Sequence, residues 1–233
     1  MKRDIITSAI GILVLTVLCG ILYPLVITGV SQVAFPGNAN GQQVFVHGKL
    51  AGSKIIGQNF GDLVIDKKTG KPEMQNGNPV TNPDPRYFQT RPSATAPADN
   101  AAATTFSNLG PNSKATEVAI AGNIQAYLAL NCQSAVSGSA RCADPYDPKV
   151  TTAGDVPVDA ADTSASGVDP DISVANADIQ AYRIASVRHL SLSRVDGLIS
   201  TYTSGRGLGF SGEPGVDVLE VNLALDRITG GTA

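Results

Sequence analysis

The sequence predicts a single N-terminal transmembrane α-helix followed by an α+β domain on the outer side of the membrane. The first observation behind this is a charge-free run. Residues 5–46 contain no Asp, Glu, Lys or Arg, and the run opens IITSAIGILVLTVLCGILYPLVITGVSQVA directly after Met1-Lys2-Arg3-Asp4. It exceeds the ~7–15-residue apolar core of a secretory signal and suffices for the ~20 residues that cross a bilayer. The second is the asymmetry of the flanks. Lys2 and Arg3 precede the run, and no Lys or Arg follows until Lys49. The positive-inside bias then keeps the N-terminus in the cytoplasm and sends the remaining chain out. The third is the mixed pattern beyond the helix, where short β-branched runs and stretches of helical period are punctuated by Gly, Pro and Asn.

The elements follow in chain order. About 29 helical residues at ~1.5 Å each span roughly 43 Å against a ~30 Å hydrocarbon core, so tilt or a last turn outside the lipid is expected. Cleavage is disfavoured because Gln32 stands where a small residue would precede Ala34. Leu18 likewise argues against Cys19 as a lipid-attachment site. Thr16 and Gly20 form a small-xxx-small pair and Pro24 can bend the helix. The chain accordingly divides into residues 1–36, the transmembrane helix with a short cytoplasmic N-terminus, and residues 37–233, the outer domain.

In that domain QQVFVHG and LVID read as short strands, and residues 66–85 as a surface hairpin or loop. SKATEVAIAGNIQAYLAL reads as a helix with Ser113 at its N-cap and apolar residues at Ile120, Ile124, Tyr127 and Leu128. Residues 143–161 form a Pro/Asp-rich connector. Ser173 caps a helix running to about His189. Ser193, with Asp196 three residues on, caps another through Val195, Leu198, Ile199 and Tyr202. After the Gly-rich loop SGRGLGFSGEPG, Asp217 and Glu220 open a last helix, VLEVNLALDRI.

Composition narrows the chemistry. A net charge of −3 gives no footprint for nucleic acid. Cys132 and Cys142 face an oxidising compartment, so a disulfide is the natural reading. The only histidines, His47 and His189, are far apart in sequence, and two cysteines alone rarely make a zinc site. DKKTGK at 66–71 resembles the DKTGT phosphorylation motif of P-type ATPases, but carries an extra Lys, lacks the last Thr and lies on the outer side. GRGLG at 205–209 follows no clear strand, so turn-forming glycine is the simpler reading. Ser211 in GFSGE lacks the second Gly of a nucleophile elbow. Asp155, Asp159, Asp162, Asp169 and Asp171 sit among Pro and Gly, as in a solvated loop that offers at most a weak cation site. No catalytic constellation emerges.

Five ordered segments carry a resemblance instead: GSKIIGQNF, YFQTRPSAT, SNLGPNS, PVDAADTSASGVDPDISVANADIQAYRIASVR and GEPGVDVLEVNLALD. Behind one N-terminal membrane helix, they resemble the C subunit (KdpC) family of Kdp-type potassium-transporting ATPases. The resemblance covers most of the chain. Stretches near 66–85 and 131–161 look like insertions, and Asp171 stands where the family's DPxIS motif more often has His.

The resemblance implies a periplasmic α+β domain anchored in the bacterial cell inner membrane by a single pass. It implies a non-catalytic accessory subunit of a high-affinity, ATP-driven potassium uptake complex. Such a subunit supports assembly and stability, and assists ATP use by the pump only indirectly. The implied partners are a channel-like A subunit, the P-type ATPase B subunit, a small F subunit and the lipid bilayer. No cofactor is expected on the chain itself, since ATP, Mg and potassium are handled by the complex. The competing reading is a membrane-anchored periplasmic binding or envelope protein with no pump partner. The residues expected at a partner interface are Arg91, Pro92, Ser93, Ser164, Ser166, Gln180, Arg183 and Arg188. Gln180 and Arg183, one turn apart, can share a helix face, where Arg suits an interface. The same polar groups could instead bind carbonyls within the domain.

Overall fold

The computed structural model describes residues 2–75, 78–95, 97–105, 108–133 and 141–230. Ser107 of SNLGP, residues 76–77 of the first expected insertion and 134–140 of the second lie outside them. The chain forms two compact units, residues 1–50 and residues 51–233.

The first unit is dominated by one apolar helix over Lys2–Ala34, with mean hydropathy 2.7 and none of its apolar window buried by the rest of the chain. It consists of α1 (Lys2–Val17), a π-turn (Leu18–Leu22) and α2 (Tyr23–Ala34). The π-turn has a local cause. Pro24 has no N–H for the helical ladder, and just before it the Tyr23 N–H reaches back to Leu18 O. A short α3 (Pro36–Ala39) follows, with Asn40 Nδ2 donating to Pro36 O and Gln32 Oε1 at 2.7 and 3.1 Å. β1 (Gln43–Val46) and β2 (Lys49–Ser53) form a two-stranded sheet.

The second unit is α+β with small antiparallel sheets. β3 (Gly61–Leu63) pairs with β6 (Thr81–Pro83), and β4 (Met74–Gln75) with β5 (Asn78–Pro79). The strand expected over LVID therefore begins earlier, at Gly61. Ile65 makes only an isolated bridge to Pro72, because the chain turns at Asp66. That turn occupies the carboxylate of DKKTGK: Asp66 accepts from Lys68 N–H at 2.7 Å and from the Thr69 hydroxyl at 3.0 Å.

α4 (Lys114–Leu130) has Ser113 at its N-cap position, although the hydroxyl makes no capping bond. Leu128 is its buried anchor, packing with Val150 and Ile179 beside Ile124 and Tyr127. A disulfide joins Cys132 and Cys142, with Cα atoms 5.8 Å apart, and Cys19 is free. The connector contains a short 3₁₀ turn and α5 (Val158–Ala161).

The main core is built by α6 (Val174–Val187), α7 (Leu192–Thr201) and α8 (Val218–Thr229) around a sheet of β7 (Asp171–Ser173), β9 (Gly215–Asp217) and β8 (Thr203–Ser204), in that order. Ser173 caps α6 by accepting from Asn176 N–H, and Asp217 caps α8 by accepting from Glu220 N–H. α7 starts earlier than Ser193. Its N-cap is Ser191, because Leu192 packs on the core one turn before Val195 and two before Ile199. Phe88, Ile184, Val195, Val216, Val221 and Leu225 lie at its centre. Each such side chain contributes about 1.5–3 kcal/mol of burial.

Candidate functional site

The YFQTRPSAT segment, which forms no regular element, is fastened to α6 and α8 by side chains that bind its backbone. Asn222 Oδ1 accepts from Phe88 N–H and Asn222 Nδ2 donates to Phe88 O, both at 2.9 Å. Gln180 does the same for the next residue, accepting from Gln89 N–H at 2.8 Å and donating to Gln89 O at 3.1 Å. Two carboxamides thus imitate the donor–acceptor pairs of a neighbouring strand.

Arg183 adds Nε to Pro85 O at 3.0 Å and Nη2 to Tyr87 O at 2.7 Å. Arg188 Nε reaches Arg86 O at 2.7 Å. Every carbonyl from Pro85 to Gln89 is therefore bound by a side chain from α6, its C-cap Arg188 or α8. The strip passes from exposed Pro85 and Arg86 to buried Phe88, and where it goes under, each unmatched backbone group would cost about 1–3 kcal/mol.

This geometry corrects the expectation that Gln180 and Arg183 form a partner surface. They are 1 % and 0 % exposed, so neither can touch another protein in the folded domain. Arg183 also donates to Asn131 Oδ1 at 2.8 Å and Gln180 Oε1 at 3.0 Å. Burial lowers its guanidinium to about 10, which still leaves it cationic at neutral pH. The physical reason is that α6 is enclosed on several sides, so Gln180 and Arg183 face the YFQTRPSAT strip, while Asp178 and Ser186 take the side toward water.

Arg188 is spent inward as well. It pairs with Asp226 at 2.9 Å, donates to Thr229 Oγ1 and stacks 4.6 Å over the Tyr87 ring. Burial raises the Tyr87 phenol, and Asp226, which accepts its proton at 3.0 Å, raises it further.

The RPSAT run is tied to the 162–169 loop. Arg91 pairs with Asp169 at 3.2 Å and donates to Thr163 O, while its buried Nε has no partner. Ser93 Oγ donates to Gly167 O at 2.6 Å and accepts from Asp99 N–H at 3.0 Å. Ser164 Oγ accepts from Gly167 N–H at 2.8 Å. Gly167 is required there: its φ is 72°, and a Cβ would lie 2.6 Å from Thr105 O. Pro92 lines a shallow cleft with Tyr127 and Gln180, and Ser166 is exposed.

The Asp-rich stretch is used structurally. Asp159 accepts from Ser173 N–H and hydroxyl at 2.8 and 2.9 Å and from Asn176 Nδ2, and Asp155 holds Thr151 and Thr152 N–H. No group of metal-binding side chains occurs among the described residues. Burial pushes Asp99 and Asp217 up to about 6, and neighbouring Asp169 adds to the rise at Asp99.

Two further clefts are lined by described residues. One, of about 350 Å³, is walled by Phe60, Tyr87, Leu219 and Leu223 with Asp62 at its edge. The other, of about 330 Å³, lies between Arg91, Asp171 and Glu213.

Residues 5–227 match the family described as "KdpC: K+-transporting ATPase, c chain". The chain belongs to the KdpC family. It is 42 % identical over 218 residues to the potassium-transporting ATPase KdpC subunit of Methylococcus capsulatus, covering 93 % of this chain and 94 % of the relative. The KdpC subunit of Mycobacterium bovis is 38 % identical over 228 residues, covering 98 % and 100 %. That of Streptomyces avermitilis is 39 % identical over 225 residues, covering 94 % and 90 %. As a KdpC-family chain it is a non-catalytic subunit of the Kdp potassium-transporting ATPase.

Sequence reasoning about this KdpC-family chain missed Asn222, Asp226, Tyr87 and Asn176. The available signal was NLALD. Asn222 and Asp226 stand four residues apart among the apolar residues of VNLAL, which marks a polar stripe facing a buried partner.

Proposed function

We propose that the chain is a single-pass anchored assembly subunit, with its N-terminus in the cytoplasm and residues 37–233 as a periplasmic body. That body sits on the outer face of the pump. The partners are the channel-like A subunit, the ATP-hydrolysing B subunit and the small F subunit, in the bacterial inner membrane. Any influence on ATP use passes through the assembled complex.

The observation that carries this reading is the pairing of two unlike parts within a KdpC-family chain. The apolar window of the helix over Lys2–Ala34 contains no buried residue, whereas the second unit has its own hydrophobic core. Such a helix is stable where lipid or other membrane helices surround it. Lys2 and Arg3 support the orientation.

Purification in mild detergent through a tag on this chain tests the reading. A P-type ATPase and a large polytopic partner should co-elute, and potassium-stimulated ATP hydrolysis should be lost from membranes lacking the chain. Migration of the chain alone would refute it. In intact spheroplasts added protease should digest the outer domain; protection until lysis would reverse the orientation.

A further inference from the structure

The Gly-rich loop that yields no chemistry in the sequence has an unusual surface. Leu208 is 91 % exposed and Phe210 76 %, and among the other described large apolar residues of the second unit only Val158, at 80 %, comes near them. The two side chains are presented by a closed turn. Gly207 and Ser211 exchange both backbone hydrogen bonds, at 2.7 and 2.8 Å. Gly209 N–H donates to Arg206 O at 3.1 Å, and Arg206 pairs with Glu213 at 2.6 Å across the base. Leu208 has φ 54°, a conformation that a branched side chain rarely adopts. Two large apolar groups are thus fixed outward at one tip, where solvent exposure costs most and contact gains most.

We propose that this tip docks into another subunit of the potassium-transporting ATPase, at an apolar pocket bordered by Lys or Arg side chains. The inference rests on the reading of the chain as a subunit of that complex. The chemistry of the border comes from the cleft beside the tip. The stem continues from Glu213 into one wall of that cleft, which is also lined by Asp159, Asp169 and Asp171. Three carboxylates, Asp159, Asp169 and Asp171, face one guanidinium there, Arg91 is already paired with Asp169, and the fourth, Glu213, pairs with Arg206. Asp171 lies opposite Asp217 across the β7–β9 pairing, where like charges repel. A basic border on the partner would complement this excess. The same excess disfavours an anionic bilayer surface as the occupant, since Arg206, the cation nearest the tip in sequence, is neutralised by Glu213.

The test is thiol labelling of Leu208→Cys in a Cys19→Ser chain, with a water-soluble maleimide. The introduced thiol should react at least tenfold more slowly in the purified complex than in the full chain alone in detergent. Phe210→Ser should lower recovery of partner subunits at least fivefold with an unchanged melting temperature. Equal labelling in both states, or normal recovery with Phe210→Ser, would overturn the proposal. So would protection of the thiol when the chain alone is placed in vesicles of anionic lipid, which would assign the tip to the membrane. If the unsubstituted chain retains no ATPase subunit, the subunit reading itself fails. If it retains them and the thiol stays exposed, only the docking tip fails.

Discussion

Arg183→Met isolates what the buried guanidinium does, because Met keeps much of the apolar stem. Four hydrogen bonds disappear: to Pro85 O, Tyr87 O, Asn131 Oδ1 and Gln180 Oε1. Gln180 Oε1 keeps Gln89 N–H, and Tyr87 O keeps only a 3.4 Å approach from Gln89 Nε2. Tyr87 O and Asn131 Oδ1 are left largely unmatched, while the carbonyl of exposed Pro85 can turn to water; each lost bond to the charged group is worth about 1.5–3 kcal/mol. Removing a buried charge returns several kcal/mol of desolvation, so the net loss is about 3 kcal/mol. That is a sizeable part of a ~5–15 kcal/mol stability. At ~2–4 °C per kcal/mol for a domain of this size, the melting temperature should fall by roughly 6–12 °C. Circular dichroism of the full chain in detergent measures it. The fraction that remains folded at low temperature should still join the complex. An unchanged melting temperature with loss of the complex would refute the argument and return Arg183 to a partner surface.

Asp99 and Asp217 have folded values of about 6, above the ordinary 3.8. Their contribution is fully present below about pH 3.8 and is lost as pH rises through about 6. At Asp84 burial pushes upward but Arg86's hydrogen bonds and charge outweigh it, so the net shift is downward and its contribution is lost only in stronger acid. The melting temperature should therefore be higher at pH 5 than at pH 8, and Asp99→Asn with Asp217→Asn should flatten that slope; an undiminished slope refutes the assignment. Asn at 217 can still cap α8. The Cys132–Cys142 bridge closes a short loop, so Cys132→Ser should cost about 2–3 kcal/mol and leave potassium uptake largely intact. Under denaturing, non-reducing conditions one thiol should label, and three after reduction; three without reductant would refute the bridge.

The membrane helix, the helix starts at Ser173 and Asp217 and the polar turn at Asp66 were legible in the sequence, because each rests on neighbours in the chain. Hydropathy over thirty residues, a capping side chain three positions from its N–H, and an Asx turn are local physics. The resemblance carried by YFQTRPSAT and NLALD was legible too, but not the reason those segments occur together. Only the tertiary structure decided it. Phe88 and Asn222 are 134 positions apart, and Gln89 and Gln180 are 91 apart, yet each pair exchanges both backbone-type hydrogen bonds. Sequence spacing put Gln180 and Arg183 on one helix face but could not say whether water, a partner or the chain itself covered it. Leu192 likewise moved the start of α7 to Ser191 through its packing on the core. Local bonding fixes where elements begin and what they can offer; long-range burial fixes which of those polar groups are left to meet anything outside.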